Sequence, residues 1–399
     1  MSGAVLQLMA AGAEDVSLMG TSEPSFFRKQ YKRHVPFSIQ TLEVDVPRLD
    51  LVFGESFKVT LPRKGDMVNR LWLQVTVRKQ GVTYHPIEAL IDSVQLYIGQ
   101  QLIDTHTGEG IRVRNELFQR RDDREAYRRL TDFADGEDDG AIKTLWLPIV
   151  FFFDAVPLPL IALQMHNVDV VFQFASSVAG IDVTYKPTVT LWADYVFLSN
   201  EERRFFASNP HALLIEQTRV EEDQVQLSTT GTTALKTRLY FRHPIKYLAW
   251  TVSPRTTFAR FSTGVFGDTS EAADPLLEAS LTFDTHDRIA PMPASYFNVV
   301  QPYTYLNAAP CSGIHFVSFA LDPRDRVNPT GSANFSRIST IMLNQVFKRV
   351  DLTASAPSAL TAASDMVASG QNFDRARIYA VNVNFLRIQN GLGALAFAM

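Results

Sequence analysis

Eight histidines stand at positions 34, 85, 106, 166, 211, 243, 286 and 315, and no two of them are spaced i, i+2 or i+4. A metal centre in a β-sandwich needs closely spaced imidazoles with a carboxylate, so this scatter points to no metal site. The nearest approach is Asp104 with His106, which reads as a hydrogen bond in a loop just before a glycine-bearing turn. Adjacent acids occur at Glu201-Glu202 and Asp138-Asp139. Glycoside hydrolysis needs two carboxylates facing each other across a cleft, whereas these pairs read as solvated surface. Cys311 is the only cysteine, which excludes an intramolecular disulfide and suits a reducing compartment. No partnering motif surrounds it, so it reads as a small buried or loop residue rather than a nucleophile. The phosphate loop, the dinucleotide glycine fingerprint and H-E-x-x-H are all missing. Asn334-Phe335-Ser336 has the form of a glycan acceptor but reads as a turn leading into a strand. The residues thus name no catalytic group, no metal site and no cofactor.

Charge narrows the partners. The formal net charge is −4, so there is no global basic field and no direct nucleic-acid binding is expected. Two local basic runs stand out. Arg28, Lys29, Lys32 and Arg33 are interleaved with Phe26, Phe27 and Tyr31; the run from Arg120 to Arg129 is interleaved with Asp122, Asp123 and Glu125 and reads as a solvated helix face. The apolar stretch 145–163, LWLPIVFFFDAVPLPLIAL, carries Asp154 and the prolines 148, 157 and 159. It reads as a strand, a proline-rich turn and another strand, because a spanning helix needs an uninterrupted apolar run with its backbone bonds satisfied internally. The first residues lack a basic leader, so no secretory signal is expected.

The elements that must position these residues are strands. A chain of 399 residues, 46% apolar and 20% charged, suits two globular domains. SIQTLEVDV, SFKVTL and LWLQVTV alternate apolar and polar positions, with a turn at Gly65-Asp66. NELFQRRDDREAYRRLTDF is the one long helical stretch, with Leu117, Phe118, Tyr127 and Leu130 near helical spacing. Ser199 and Glu202 have capping-box spacing and Asn209-Pro210 stops the helix that follows. A second half then repeats the pattern: TALKTRLYFRHPIKYLAWTV, GIHFVSFAL, SRISTIMLNQV and RIYAVNVNFLRI all read as strands. The last of these parallels LWADYVFLSN at the end of the first half, and HPIE at 85 matches HPIK at 243. The expectation is an arm over 1–33, a first sandwich over 34–198, a hinge helix and linker over 199–216 and a second sandwich over 217–399. Many short strands with turn signals imply sandwiches or barrels, of which the eight-stranded jelly roll is one.

Segments spread over nearly the whole chain resemble the major capsid proteins of nucleocytoplasmic large DNA viruses. They include GAVLQLMAAGAEDVSLMG, SFFRKQYKRHVPFSIQ, ALIDSVQLYIGQQLID with RNELF, PLPLIALQMHNVDVVFQF, ADYVFLSNEERRFFASNPHALLIEQ, FRHPIKYLAWTV, SYFNVVQPYTYL, SGIHFVSFALDP, SANFSRISTIMLN and RIYAVNVNFLRIQNGLGALAF, in that order. The resemblance implies an all-β chain of two consecutive eight-stranded jelly rolls, with short helices in loops and at the hinge. It also implies a structural, non-enzymatic role: homotrimeric, pseudo-hexagonal capsomers tiling an icosahedral shell, assembled in the host cytoplasm. Partners would be neighbouring capsomers, minor capsid and vertex proteins and an internal lipid membrane. On this reading Phe26, Phe27, Arg28, Lys29, Tyr31, Lys32 and Arg33 are inward-facing arm contacts; the alternative is that they only pack beneath the first sandwich. The chain is short for the family, which suggests trimmed outward loops at 131–144, 254–280 and 351–374. Two other readings stay open: a minor or vertex capsid protein of the same lineage, and a carbohydrate-binding β-sandwich with a cleft lined by tryptophans and carboxylates.

Overall fold

The computed structural model describes residues 3–10, 33–44, 53–80, 86–119, 121–133, 138–176, 181–182, 184–225, 231–253, 274, 276–306, 310, 313–348 and 375–397. Contacts divide the chain into two compact units, Met1–Phe37 and Ser38–Met399. The described part of the first holds a helix, Gly3–Met9, and residues 33–37, where the rings of His34 and Phe37 meet edge to face at 6.3 Å.

The second unit carries the sheets. In chain order the strands are β1 (Phe37–Val44), β2 (Ser56–Thr60), β3 (Met67–Arg78), β4 (Ile91–Ile98), β5 (Gln101–Thr107), β6 (Ile142–Ile149), β7 (Leu158–Pro159), β8 (Val168–Phe174) and β9 (Thr188–Leu198). There follow β10 (His211–Gln224), β11 (Thr233–Arg238), β12 (Pro244–Ser253), β13 (Leu276–Phe283), β14 (His286–Pro293) and β15 (Ile314–Ser318). The last are β16 (Ala333–Asn334), β17 (Ile341–Phe347), β18 (Arg375–Gln389) and β19 (Leu392–Leu395). Two sheets, β1-β9-β3-β6 and β2-β8-β4-β5, make the first sandwich; β10-β18-β12-β15 and β11-β17-β13-β14 make the second. Leaving aside the short β7, β16 and β19, both halves have one strand order. The first, eighth, third and sixth strands form one sheet, and the second, seventh, fourth and fifth form the other. That order is the jelly roll, twice.

Side-chain alternation explains why these segments are strands. On β3 Leu71, Leu73, Val75 and Val77 are buried while Trp72, Gln74 and Thr76 point the other way. On β17 Ile341, Leu343 and Phe347 do the same for the second core. The first core does not stop at the half boundary: Ile215, Leu386, Ile388 and Leu395 of the second half belong to it.

Several expectations need correction. The long helical stretch is two helices, Gly108–Phe118 and Arg121–Thr131, because Gln119 closes the first in an extended conformation. Asp104 and His106 lie in strand β5, not in a loop. Two of the expected loops contain strands: β6 starts at Ile142 and β13 at Leu276, both inside stretches assigned to trimmed loops. Residues 254–273 and 351–374, and Cys311, lie outside the described residues. HPIE and HPIK are not equivalent, since Pro86–Leu90 is a short helix before β4 whereas Pro244 opens β12. The stretch 145–163 ends β6 and continues through two 3₁₀ turns around the two-residue β7. Among the described residues no helix is long and apolar enough to cross a membrane.

Candidate functional site

Several of the buried polar groups lie where the two sandwiches meet. Strand β5 edges one sheet of the first half and β10 edges one sheet of the second. An open strand edge presents unpaired backbone groups, and here side chains satisfy them across the boundary. The Thr218 N–H donates to Asp104 Oδ1 at 2.7 Å, and Gln217 Nε2 donates to the carbonyl of Ile103. Gln217 Oε1 in turn accepts from Asn382 at 3.2 Å and Asn384 at 3.1 Å. Burial pushes the Asp104 carboxyl up, but His106, 3.0 Å away, and the Thr218 N–H more than offset this and hold it below the usual carboxylate range. The His106 ring lies against Phe151 with centroids 5.0 Å apart. The sequence placed this pair in a hydrogen bond; the structure makes it part of the inter-sandwich seam.

A second group builds on the helix Gly108–Phe118. Thr107 caps it by accepting the Gly110 N–H at 3.0 Å. Gly108 is packed so closely that a Cβ would fall 2.1 Å from the carbonyl oxygen of Glu88. So anchored, the helix of the first half lays Val113 and Leu117 on the outward face of the second half's sheet, against Tyr247, Phe316 and Tyr379. Phe118 adds ring contacts to Tyr247 at 5.1 Å and Phe316 at 6.4 Å. At its start Glu109 accepts from Arg377 Nη1 at 2.7 Å and from Thr251 Oγ1 at 2.6 Å, both on the second half. Arg377 also reaches Glu222 at 3.1 Å.

A third group ties the proline-rich connection to the second half. Arg326 Nη2 donates to the Phe151 carbonyl at 2.7 Å, and its other nitrogens meet Asp154 at 3.2 Å and Glu216 at 3.3 Å. Glu216 also pairs with the buried Lys246. At the hinge, Ser199 Oγ accepts the Glu202 N–H, as the capping-box spacing predicts, and Asp66 takes Arg203 Nε at 2.8 Å and the Leu198 N–H at 2.9 Å. Sequence reading missed Arg326, Glu109 and Arg377, which no motif singles out. It also missed β19, although Asn390-Gly391, with φ of 52° and 80°, is a two-residue hairpin signal. That hairpin reaches the first half, where His166 Nδ1 lies 3.0 Å from the Gly393 carbonyl.

Of the arm residues named from sequence, Phe26, Phe27, Arg28, Lys29, Tyr31 and Lys32 lie outside the described residues, and Arg33 is exposed. On the helix Arg121–Thr131, Arg129 pairs with Glu125 at 3.2 Å on an exposed face, as expected of a solvated surface. Asn334 Oδ1 accepts the Ser336 N–H and opens a turn before β17, the role expected of it. No group of three or more metal-ligating side chains occurs among the described residues. Two hollows of about 190 and 210 Å³ are smaller than the roughly 300–1,000 Å³ of ligand pockets.

The tryptophans do not line a cleft. Trp250 is buried in the second core, while Trp72, Trp146 and Trp192 stand half-buried on the outward face of the first sandwich's β1-β9-β3-β6 sheet. Trp72 and Trp192 are register partners, Trp146 and Trp192 lie 6.2 Å apart, and Trp192 Nε1 donates to Gln74 at 2.7 Å.

Comparison with known proteins follows the same division. Residues 25–199 match the family profile described as major capsid protein N-terminus, and residues 202–394 match large eukaryotic DNA virus major capsid protein. The major capsid protein of Paramecium bursaria Chlorella virus 1 is 34% identical over 438 aligned positions, and that of Pyramimonas orientalis virus 30% over 436, each alignment covering 100% of both chains. A chain of the PBCV-1 virus capsid quasi-atomic model superposes with a TM-score of 0.84 at 33% identity, covering 94% of this chain and 100% of that one. The Faustovirus major capsid protein shares the fold at 10% identity, with a TM-score of 0.70 over 95% of this chain. The twin jelly rolls and the full-length likeness lead to one conclusion: the chain belongs to the major capsid protein family of large eukaryotic DNA viruses.

Proposed function

We propose that the protein is a non-enzymatic lattice subunit that forms homotrimers with a pseudo-hexagonal outline, and that these tile an icosahedral shell assembled in the host cytoplasm. The observation that carries this reading is the identical strand order of the two sandwiches, locked together by a polar seam. Three copies of such a chain present six similar sandwiches. We divide the chain into an arm over 1–33, a first sandwich over 34–198, a hinge over 199–216 whose last residues already belong to β10 (His211–Gln224), and a second sandwich over 217–399. A minor or vertex role in the same lineage needs only one jelly roll, so the twin plan favours the lattice subunit. The proposed partners are further copies, minor capsid and vertex proteins, and an internal lipid surface reached by the arm. The basic residues Arg28, Lys29, Lys32 and Arg33 would favour anionic head groups there.

Sedimentation and negative-stain imaging of the purified chain test this. Three-lobed or hexagonal particles of three chains are expected; a stable monomer at micromolar concentration would refute it. Deleting residues 1–33 should leave trimers intact and impair particle formation, and normal particles would reject the arm contacts.

A further inference from the structure

The chain already contains one solution to the problem of covering a sheet face. The connection between the fifth and sixth strands of the first sandwich is helical, and its helix Gly108–Phe118 covers the outward face of the second sandwich's β10-β18-β12-β15 sheet. The second sandwich has the same kind of connection between its own fifth and sixth strands, β14 and β15: a π-turn over Tyr296–Val300 running into a helix over Gln301–Leu306. This segment buries Phe297, Gln301, Pro302 and Leu306, yet it leaves Val299, Val300 and Tyr303 exposed at 44%, 47% and 73%. Their i, i+1, i+4 spacing puts them on one side of the helix. Val113, Leu117 and Phe118, which make the internal contact, have much the same spacing.

The receiving surface also has its counterpart. On the first sandwich, the sheet face equivalent to the one that Val113 and Leu117 cover is the face bearing Trp72, Trp146 and Trp192. Thr41 bonds Asp194 on that face at 2.6 Å, which places Ile39, two residues earlier on the edge strand, on the same side; Ile39 is 53% exposed. Strand order, helical connection and aromatic face therefore recur in both halves. In one half the face is covered by the neighbouring half of the same chain; in the other the three tryptophans keep part of their surface accessible, with Ile39 exposed beside them. We propose that the Val299–Val300–Tyr303 side of one chain packs on the Trp72–Trp146–Trp192 face of a second copy, repeating between chains the contact made within each chain. This rests on the trimer reading above and supplies its interface. The two surfaces differ, so the contact is head-to-tail, and head-to-tail contacts close into a ring when the rotation per copy divides a full turn. Central tryptophan and tyrosine are also the residues that dominate interface energetics.

The test uses the full chain. Trp146→Glu and Tyr303→Glu each alter a partly exposed residue, so far-UV circular dichroism should be unchanged while sedimentation shows trimer association weakened by roughly thirtyfold or more. In a Cys311→Ser background, chains carrying Trp146→Cys are mixed with chains carrying Tyr303→Cys and treated with a short bis-maleimide. Cross-linked dimers that need both variants are expected. If the wild type is trimeric but neither glutamate variant weakens it and no mixed cross-link forms, this interface is wrong and the trimer stands on another surface. If the wild type is monomeric, the trimer reading fails first. Retention of the trimer together with glycan binding quenched by Trp146→Glu would assign the tryptophan face to a carbohydrate instead.

Discussion

Arg377→Met should be among the most damaging single changes at the seam. Arg377 sits on β18 of the second sandwich and Glu109 opens a helix of the first; their side chains are 12% and 4% exposed and 2.7 Å apart. Burial works against the charge on Arg377, but Glu109 and Glu222 more than compensate and hold it protonated. Methionine keeps most of the packing volume and leaves the Glu109 carboxylate facing the Thr251 hydroxyl without its cationic partner. Breaking a buried pair from one side costs about 3–5 kcal/mol. Arg377 keeps some solvent contact and Glu222 is 42% exposed, so the lower end, about 3 kcal/mol, is expected. Urea unfolding at fixed protein concentration measures it, and the double variant Glu109→Gln with Arg377→Met completes the cycle. Because the double variant leaves no buried charge, it should recover at least half of the loss. A cost for Arg377→Met below about 1 kcal/mol, the range of exposed pairs, would refute the reasoning. So would a double variant as unstable as the sum of the singles.

Three further outcomes follow from the same geometry. Burial pushes the Glu88 carboxyl from 4.5 up to about 7, against the pull of Arg112 and the Tyr127 hydroxyl, with Glu116 adding to the rise and Asn115 opposing it. A raised folded value means that this contribution to stability is complete below about 4.5 and is lost as pH climbs through about 7, an interval worth roughly 3 kcal/mol. Glu88→Gln should flatten that slope in urea titrations between those limits, and an unchanged slope would count against it. Gly108→Ala places a methyl 2.1 Å from one backbone oxygen and 2.4 Å from another, those of Glu88 and Ile91. Since neither can swing aside as a side chain could, a loss above about 2 kcal/mol or insoluble expression is expected, and normal thermal stability would contradict the packing. Ser199→Ala removes the cap of the hinge helix and should cost about 1 kcal/mol, measured as a small fall in the urea midpoint.

The fold was legible where periodicity is strong. LWLQVTV alternates apolar and polar residues as its strand does in the fold, RIYAVNVNFLRI and LWADYVFL read as strands from their apolar and aromatic content, and Ser199 announced its helix by spacing alone. The break in the long helical stretch was not legible, because Gln119 has ordinary helix propensity and nothing in its local sequence announces the extended backbone it takes. Strands β13 and β14 escaped notice for a related reason. HDRIAPMP is exposed at seven of its eight positions, so it shows no alternation, and only pairing with β13 makes it a strand. The seam residues escaped because Glu109, Arg377 and Arg326 are separated by up to 268 positions and acquire meaning only when two folded halves meet. A sequence lists charges; it does not say which will be buried against each other.

That burial suggests what the charges are for. The apolar part of the seam, with Ile215, Leu386 and Ile388 entering the first core and Val113 and Leu117 covering the second sheet, can supply the attraction between the sandwiches. Apolar contact is non-directional, and two sandwiches joined only in that way could settle at more than one relative angle. Asp104 with Thr218, Glu109 with Arg377, and Asp154 with Arg326 fix three separate points of the boundary, and three points define one orientation. For a solitary two-domain protein a few degrees of freedom there would be harmless. For a subunit that closes a ring of three, as proposed above, an angular error at each internal seam would be repeated in every copy and absorbed at the contacts between chains. Buried polar pairs that contribute little net stability but specify one geometry are therefore the kind of joint that such an assembly requires.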